Sequence, residues 1–377
     1  MASLLIGIGG SASAATLSIS DIVLDNLANP RGMTVGADGW LYVAQAGSGG
    51  DGASIVGGDG TTMSYGSTGS ITRVRNGTQE IVAADLPSLA AEGGFGATGV
   101  HDVAFHDDAL HAVFGFGGDP NQRSGLAAAH PSAALLGQVG RVDDGNVTAF
   151  ADFASLELDG GQDDEANSNP FSLTTGPGGL IVSDAGGNDL LAVGADGAVD
   201  PIAFIPPAPN PLPFGPPVYQ AVPTGIATGT DGTVAVALLT GFPFPEGTAN
   251  VLGLAPDGSL GTIAEGFTNL IDVAFGLDGA LFALETDSDS LLNPGTTGAL
   301  YEVFADGTRS LLFDGLESPT GLAVGPDGTF YVAVNGLSPN AGQVLALTAA
   351  PAPVPLPAGL PLLVAGLGCL AILRRRR

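Results

Sequence analysis

Residues Ser318 to Val334 read SPTGLAVGPDGTFYVAV, and this stretch predicts a β-hairpin. A short apolar run, Leu322 to Val324, precedes Pro326-Asp327-Gly328, where the glycine tolerates the positive φ of a tight turn. The β-branched and aromatic run Phe330 to Val334 favours a second strand. The rest of the chain repeats this unit.

Five further copies occur along the sequence. Clear copies begin at Asn29 (NPRGMTVGADGWLYVAQ), Val222 (VPTGIATGTDGTVAVAL) and Asn269 (NLIDVAFGLDGALFALE). A weaker copy at Gly99 lacks the turn glycine, and another at Asn169 has Gly-Gly in place of Asp-Gly. A second hairpin follows each of the first five copies, so each repeat is predicted to be a four-stranded meander, strands A to D. Six such repeats, with a period near 50 residues, predict a β-propeller.

The last repeat has only one strand after its hairpin, Gly342 to Ala349. The segment Thr16 to Leu24 precedes the first repeat and alternates like a strand. We expect it to supply strand D of the last blade, because that pairing covers an exposed sheet edge. The predicted fold is therefore all-β, a six-bladed β-propeller over residues 15–349 closed by an N-terminal strand.

Strand parity gives the propeller two distinct faces. The A–B and C–D turns lie on one face, here called the turn face, and it carries the Asp-Gly turns. The B–C loops and D-to-A crossings lie on the opposite loop face. The long insertions all fall on the loop face: Ala46 to Thr68, Asp85 to Thr98, Gly115 to Leu136, Ala154 to Asn169, Ile205 to Gln220 and Thr240 to Thr248. Loops on rigid scaffolds carry function, so the loop face is the candidate working face; the alternative is that insertions accumulate where they are tolerated.

Composition limits the classes of partner. The chain has 38 carboxylates against 10 basic residues, for a net charge of −28, which opposes nucleic-acid binding and attracts cations. The single cysteine, Cys369, lies in an apolar tail, so the predicted propeller has neither a disulfide nor a thiol nucleophile.

Four acidic residues are the candidate ligand-binding residues. Asp102 and Asp272 begin strand A of their repeats, and Asp184 and Glu285 end strand B. We expect all four near the loop-face mouth of the central channel, where they could converge on a calcium ion. The alternative is that they bond to backbone amides at strand ends. No catalytic residues are predicted, because the sequence has no G-x-S-x-G, Walker or H-E-x-x-H motif.

Both ends of the chain predict targeting segments. Residues 1–14 end in Ala12-Ser13-Ala14, an A-x-A pattern that predicts a signal peptide, although the basic n-region is missing. A proline-rich linker, 350–355, leads to an apolar segment of 18 residues, Leu356 to Leu373, and then to Arg374 to Arg377. This segment is long enough to span a membrane as a transmembrane helix, with the arginines in the cytoplasm and the propeller outside. A buried C-terminal helix, the alternative, leaves the arginine cluster unexplained.

The same tail resembles a VPLPA-CTERM sorting signal, a relative of PEP-CTERM. The resemblance covers Val354 to Arg377, VPLPAGLPLLVAGLGCLAILRRRR, and its motif consists of Val354, Pro355, Leu356, Pro357 and Ala358. It implies recognition by an exosortase-type transpeptidase and cleavage near the motif. It also implies delivery to the envelope or exterior of a Gram-negative bacterium, with at least transient anchoring in the inner membrane.

The propeller segment resembles the ScyD/ScyE family. The match runs from about Leu17 to Leu347 and rests on NPRGMTVGADGWLYVAQAG, EANSNPFSL, VSDAGGNDLL, LLTGFPFPEGTANV and GFTNLIDVAFGLDG. It implies a secreted NHL-like or SMP-30-like propeller and brings no catalytic residues. We expect an exported protein, more consistent with a binding role than with an enzyme, that presents the loop face to a surface or small-molecule ligand. The alternative is a metal-dependent lactonase or esterase of SMP-30 style with calcium in the channel.

Overall fold

The computed structural model describes residues 17–158, 166–293, 295 and 297–350. Their strands form six antiparallel blade sheets, whose innermost strands pack against one another around a central channel, and one separate two-stranded sheet. The fold is a six-bladed β-propeller. The predicted signal peptide and the sorting segment lie outside the described residues, and within those residues no helix has the length and apolar character needed to cross a bilayer.

The strands follow the predicted order. The first strand and blade 1 are β1 (Leu17–Leu27), β2 (Pro30–Val35), β3 (Leu41–Gln45), β4 (Ser54–Val56), β5 (Thr62–Arg75) and β6 (Thr78–Ala90). Blade 2 is β7 (Val100–His106), β8 (Ala109–Phe114), β9 (Gln138–Asp143) and β10 (Asn146–Asp152), and blade 3 is β11 (Pro170–Gly176), β12 (Gly179–Asp184), β13 (Asp189–Gly194) and β14 (Val199–Phe204). A short hairpin, β15 (Ala208–Pro209) and β16 (Val218–Tyr219), precedes blade 4, which is β17 (Pro223–Thr228), β18 (Val234–Leu238), β19 (Ala249–Leu254) and β20 (Leu260–Phe267). Blade 5 is β21 (Leu270–Phe275), β22 (Leu281–Glu285), β23 (Thr297–Val303) and β24 (Arg309–Glu317), and blade 6 is β25 (Gly321–Val324), β26 (Phe330–Val334) and β27 (Gly342–Ala349).

The ring closes as predicted. Strand β1 pairs antiparallel with β27, from Leu17 opposite Ala349 to Leu27 opposite Gly342, so it is the outer strand of blade 6. Leu24 and Leu27 of β1 are buried in an apolar cluster shared with blade 1. Because Leu17 and Ala349 are partners, both ends of the propeller lie at the turn face.

The Asp-Gly turns have the predicted geometry, and blade 6 shows why. Gly328 adopts a φ of 80°, in the left-handed region that favours glycine. The Thr329 N–H donates to Asp327 Oδ1 at 3.0 Å, and the Gly325 N–H donates to the Thr329 carbonyl at 2.8 Å. The aspartate thus fixes the turn by accepting a local backbone bond.

Apolar side chains between the blades form the core. Phe282 of blade 5 meets Phe330 of blade 6 edge-to-face at 4.7 Å, within a cluster that also buries Leu284 and Val332. Buried apolar clusters also join blades 1 and 2, and blades 4 and 5. Each blade therefore depends on its neighbours to bury its apolar surface.

Blade 1 departs from the prediction. The predicted insertions Ala46 to Thr68 and Asp85 to Thr98 are partly strand, because β5 begins at Thr62 and β6 ends at Ala90. The extra residues pair with each other, with Ser64 opposite Ala90, and β4 adds a third strand. This part of blade 1, here called the overhang, rises above the loop face. The insertion Gly115 to Leu136 is also partly regular, with helix α1 (Asn121–Ala129) and a 3₁₀ turn (Pro131–Leu135), and α2 (Phe153–Leu158) follows β10.

Closure predicts a large effect of removing β1. Deletion of residues 1–24 should lower the melting temperature by several degrees or more relative to deletion of 1–16, because it removes the buried Leu17 and Leu24 and exposes the edge of β27. Calorimetry and light scattering on the two truncated proteins measure this. Equal melting temperatures without new aggregation would contradict it.

Candidate functional site

Near the start of strand A, each blade has a residue that faces the channel or the adjoining blade. These six positions are Gly32, Asp102, Ser172, Gly225, Asp272 and Gly321. In blades 1 to 5 the register of strand A shifts near this position, as in a β-bulge. The shift leaves nearby backbone groups without partners inside their own sheet, and side chains from neighbouring blades pair with them.

Asp102 links blade 2 to blade 3. Its Oδ2 accepts hydrogen bonds from Ser172 Oγ at 2.7 Å and from the Leu173 N–H at 3.2 Å, and its Oδ1 accepts one from the Val103 N–H at 2.8 Å. Gly32 of blade 1 makes room for it, since a Cβ there would overlap the carboxylate. Burial raises the pKa of Asp102 to about 7, and the hydrogen bonds oppose that rise.

Asp272 repeats this arrangement in the other half of the ring. It accepts hydrogen bonds from the Leu322 N–H of blade 6 at 2.7 Å and from the Val273 N–H at 2.8 Å. Gly225 of blade 4 leaves space for it as Gly32 does for Asp102. Burial raises the pKa of Asp272 well above its usual value, and the charge of Asp102 raises it further.

Further polar side chains complete the ring. Thr320 Oγ1 donates to the Pro30 carbonyl at 2.7 Å, and Thr224 Oγ1 donates to the Leu270 carbonyl at 3.1 Å, each crossing to the next blade. Ser172 Oγ accepts from the Ile226 N–H at 3.3 Å. We call this set the polar belt; its members are Arg31, His101, Asp102, Ser172, Thr224, Asp272 and Thr320.

Arg31 and His101 are the basic members of the belt. The Arg31 guanidinium donates to the carbonyls of Ala97 at 2.6 Å and Gly336 at 3.2 Å, and burial lowers its pKa to about 10. Burial and the Arg31 charge lower the pKa of His101 to about 3, so its ring is neutral at pH 7. His101 Nδ1 lies 3.2 Å from the Pro170 carbonyl, to which it can only donate.

Asp184 organises a loop. Its Oδ1 accepts from the N–H groups of Asn169 at 2.6 Å, Gly186 at 2.9 Å and Gly187 at 3.1 Å, and its Oδ2 accepts from Ser168 Oγ at 2.8 Å. Burial raises its pKa, and these four bonds oppose the rise. Both carboxylate oxygens therefore accept hydrogen bonds from the two loop segments that flank strands β11 and β12 of blade 3.

Glu285 has the same kind of role in blade 5. Its Oε1 accepts from the Thr268 N–H at 2.8 Å, and its Oε2 accepts from Ser288 Oγ at 2.6 Å. Burial raises its pKa, while its hydrogen bonds, including one with Tyr301, lower it. Glu285 therefore stabilises the crossing into blade 5 and the loop that leaves it.

The structure divides the four predicted residues into two pairs. Asp102 and Asp272 line one channel cavity of about 240 Å³, whereas Asp184 and Glu285 do not line it. The cavity extends along the A strands to Val35 and Val324, toward the turn face rather than the loop-face mouth that we expected.

The donor set does not fit calcium. In the described parts of the chain no three His, Cys, Asp or Glu side chains are arranged to hold a metal ion. Two carboxylates that already accept backbone hydrogen bonds fall short of the six to eight oxygens that calcium takes. The observed contacts are those of the alternative, in which the four carboxylates bond to amides at strand ends.

A larger cleft lies on the loop face, between the overhang and the B–C loop of blade 6. It measures about 820 Å³ and is lined by Ser48, Gly50, Thr62, Ser64, Ala90, Ala91, Glu92, Gly93, Gly94, Pro339 and Asn340. The predicted insertions Ala46 to Thr68 and Asp85 to Thr98 contribute most of the lining, but none of the lining residues was a predicted site residue. They are small or polar, come from separate loops and form no motif.

No protein-family model matches this chain, and no curated protein matches it. Solved structures do match. A gluconolactonase from Xanthomonas campestris is 10% identical, with a TM-score of 0.52 over 86% of this chain and 88% of its own. A glucose dehydrogenase is 15% identical, with a TM-score of 0.51 over 89% of this chain and 100% of its own. A Bacteroides thetaiotaomicron protein of unknown function is 10% identical, with a TM-score of 0.52 over 88% and 76%.

These solved structures support the β-propeller fold of this chain. At such low identity the likeness shows the fold alone.

Stability should depend on the protonation of Asp102. Its pKa rises from 3.8 to about 7 on folding. The stability that Asp102 contributes to the folded state is therefore fully present below pH 4 and is lost as the pH rises to 7. The difference in unfolding free energy between wild type and Asp102→Asn should therefore fall between pH 4 and 8, by up to about 4 kcal/mol. Urea unfolding across this range measures it, with the exposed Asp200→Asn as the matched control. Parallel curves for wild type and Asp102→Asn would contradict it.

Proposed function

We propose that this protein is an exported β-propeller of ScyD/ScyE type, sorted to the cell envelope through its C-terminal tail, that binds its ligand with the loop face. The observation that carries the proposal is the position of the two ends of the propeller, Leu17 and Ala349. Strand β27 runs from the loop face to the turn face and ends at Ala349, beside the start of β1. A tail anchored beyond Ala349 leaves the loop face pointing away from its attachment.

The composition of the loop face supports recognition. Large apolar side chains are exposed on its loops, with 60% of Phe95, 50% of Phe214, 51% of Phe242 and 42% of Leu337 accessible. Exposed apolar groups rimmed by polar residues are typical of binding surfaces. The polar belt supports the same proposal, because its carboxylates already accept hydrogen bonds from neighbouring blades. The loop face is therefore the better candidate for binding a ligand.

The resemblances supply the finer part of the proposal. The Val354 to Ala358 motif, the apolar segment and the final arginines favour sorting by an exosortase-type enzyme. The propeller then acts outside the cytoplasm, anchored at least transiently in the inner membrane.

Export predicts the protease sensitivity of the propeller. Protease added to intact spheroplasts should degrade the segment 17–350, since the apolar tail and its arginines place it outside the inner membrane. Immunoblotting detects the loss, and a cytoplasmic protein in the same sample is the control for intact membranes. Survival of the propeller until detergent is added would contradict export.

A metal-dependent hydrolase is the second candidate. The observation that favours it is the shared cavity, because Asp102 and Asp272 come from opposite blades and line the same space. Paired buried carboxylates with raised pKa values occur at functional sites as well as in structural networks.

Calcium should distinguish the two candidates. If the channel binds calcium, millimolar calcium should raise the melting temperature by ligand linkage, and the double variant Asp102→Asn/Asp272→Asn should abolish the rise. We expect no such rise, because the belt leaves too few oxygens free. Scanning calorimetry with calcium or chelator measures this. A rise that the double variant removes would favour the hydrolase.

A further inference from the structure

We propose that the loop-face cleft binds a neutral sugar, a short oligosaccharide or the end of a glycan. This inference rests on the proposed role of the loop face in binding and names the class of its ligand. The cleft volume of about 820 Å³ falls within the range of small-molecule sites. The lining residues belong to the overhang, the blade 1–2 crossing and the B–C loop of blade 6.

Close backbone packing holds one wall of this cleft in place. A Cβ on Gly49 would lie 2.7 Å from the Ala90 N atom, and a Cβ on Gly50 would lie 2.8 Å from the Tyr65 carbonyl. A Cβ on Gly94 would crowd Ser48 and Pro339, residues from two different blades. Larger side chains at these glycines would push the walls apart. The cleft is thus specified by the sequence and is more than a gap between mobile loops.

The polar groups of the cleft suit hydroxyl-rich ligands. The side chains of Ser48, Thr62, Glu92 and Asn340 have no hydrogen-bond partner within the described chain, and all four line the cleft. Together they offer hydroxyl, carboxylate and amide groups, which can both donate to and accept from sugar hydroxyls. The Ser64 hydroxyl is already paired with Ser54 at 2.9 Å and adds rigidity.

An exposed aromatic ring lies beside these polar groups. Phe95 is 60% accessible, and its ring lies 3.4 Å from where a Cβ of Gly93 would be. Gly93 itself lines the cleft, so the ring lies at the rim of the cleft, just outside its lining residues. An aromatic face can pack against the C–H face of a sugar ring. An open ring and adjacent free polar groups match the two surfaces of a sugar.

Charge favours a neutral ligand. Glu92 is the single ionisable side chain among the lining residues, and the chain carries a net charge of −28. This potential repels sulfated and uronic-acid glycans. One exposed carboxylate is also a weak ligand for a cation by itself.

A glycan array probed with the full-length protein tests the inference. We expect binding to neutral glycans in preference to sulfated or sialylated ones. Phe95→Ala and Asn340→Ala should each weaken binding about five-fold, through loss of ring packing and of a hydrogen bond. The matched controls are Phe304→Ala and Asn146→Ala, exposed residues of the same types near the turn face, and they should leave binding unchanged.

Absence of binding to every neutral glycan on the array would overturn the inference, as would a preference for charged glycans. Neutral binding that survives both Phe95→Ala and Asn340→Ala would overturn the assignment to this cleft. Protease accessibility on spheroplasts does not depend on sugar binding. An exported protein that binds no glycan would therefore contradict this inference alone and leave the proposed function standing.

Discussion

The free edge of each innermost strand is the constraint on which the rest of this propeller depends. Strand A is the edge strand of its sheet. The backbone N–H and C=O groups on its free edge therefore face the channel and the adjoining blade, with no strand to pair with them. An unpaired buried amide or carbonyl costs about 1–3 kcal/mol. The polar belt satisfies several of these groups: Asp102, Ser172 and Asp272 accept from amides of the next blade, and Thr224 and Thr320 donate to its carbonyls. Each of these bonds also joins two blades, so backbone pairing and ring closure depend on the same contacts.

Each of the two channel aspartates follows a blade with glycine at the same position, and this order has a steric cause. Asp102 and Asp272 each occupy space that a side chain on the preceding blade would fill, and Gly32 and Gly225 provide it. The two carboxylates come from blades 2 and 5, on opposite sides of the channel, which limits their repulsion, although the charge of Asp102 still raises the pKa of Asp272. Residue types that suggest a metal site from sequence thus form an inter-blade joint here. His101 and Arg31 belong to that joint and not to a proton-transfer site, because their ring and guanidinium groups bond to backbone carbonyls.

Much of the fold could be predicted from the sequence because its determinants are local and repeated. Asp327-Gly328 and its equivalents specify turns through glycine conformation and an aspartate bond two residues along the chain, and strand counting predicts the pairing of β1 with β27. Positions near strand ends also follow from the repeat, and Asp102 and Asp272 line a channel cavity. Their partners were not predictable, since which oxygen meets which amide depends on bulges that leave no clear pattern. The overhang was missed because Ser64 and Ala90 pair across residues that individually favour loops.

The polar belt and the loop-face cleft place different demands on the sequence. The belt requires buried groups with fixed partners, and any ligand that took a carboxylate oxygen there would have to replace an inter-blade bond. The cleft residues Thr62, Glu92 and Asn340 lie on the surface and have no fixed partners in the described chain, so a ligand can bond to them without opening the ring. The turn face has neither the buried polar contacts of the belt nor the unpaired polar groups of the cleft. Each of its turn aspartates accepts a backbone hydrogen bond with one oxygen and directs negative charge toward solvent. If the tail beyond Ala349 is anchored as proposed, these aspartates lie nearest the membrane. They repel anionic headgroups within a Debye length of about 8 Å, which holds the propeller off the surface with its cleft directed outward.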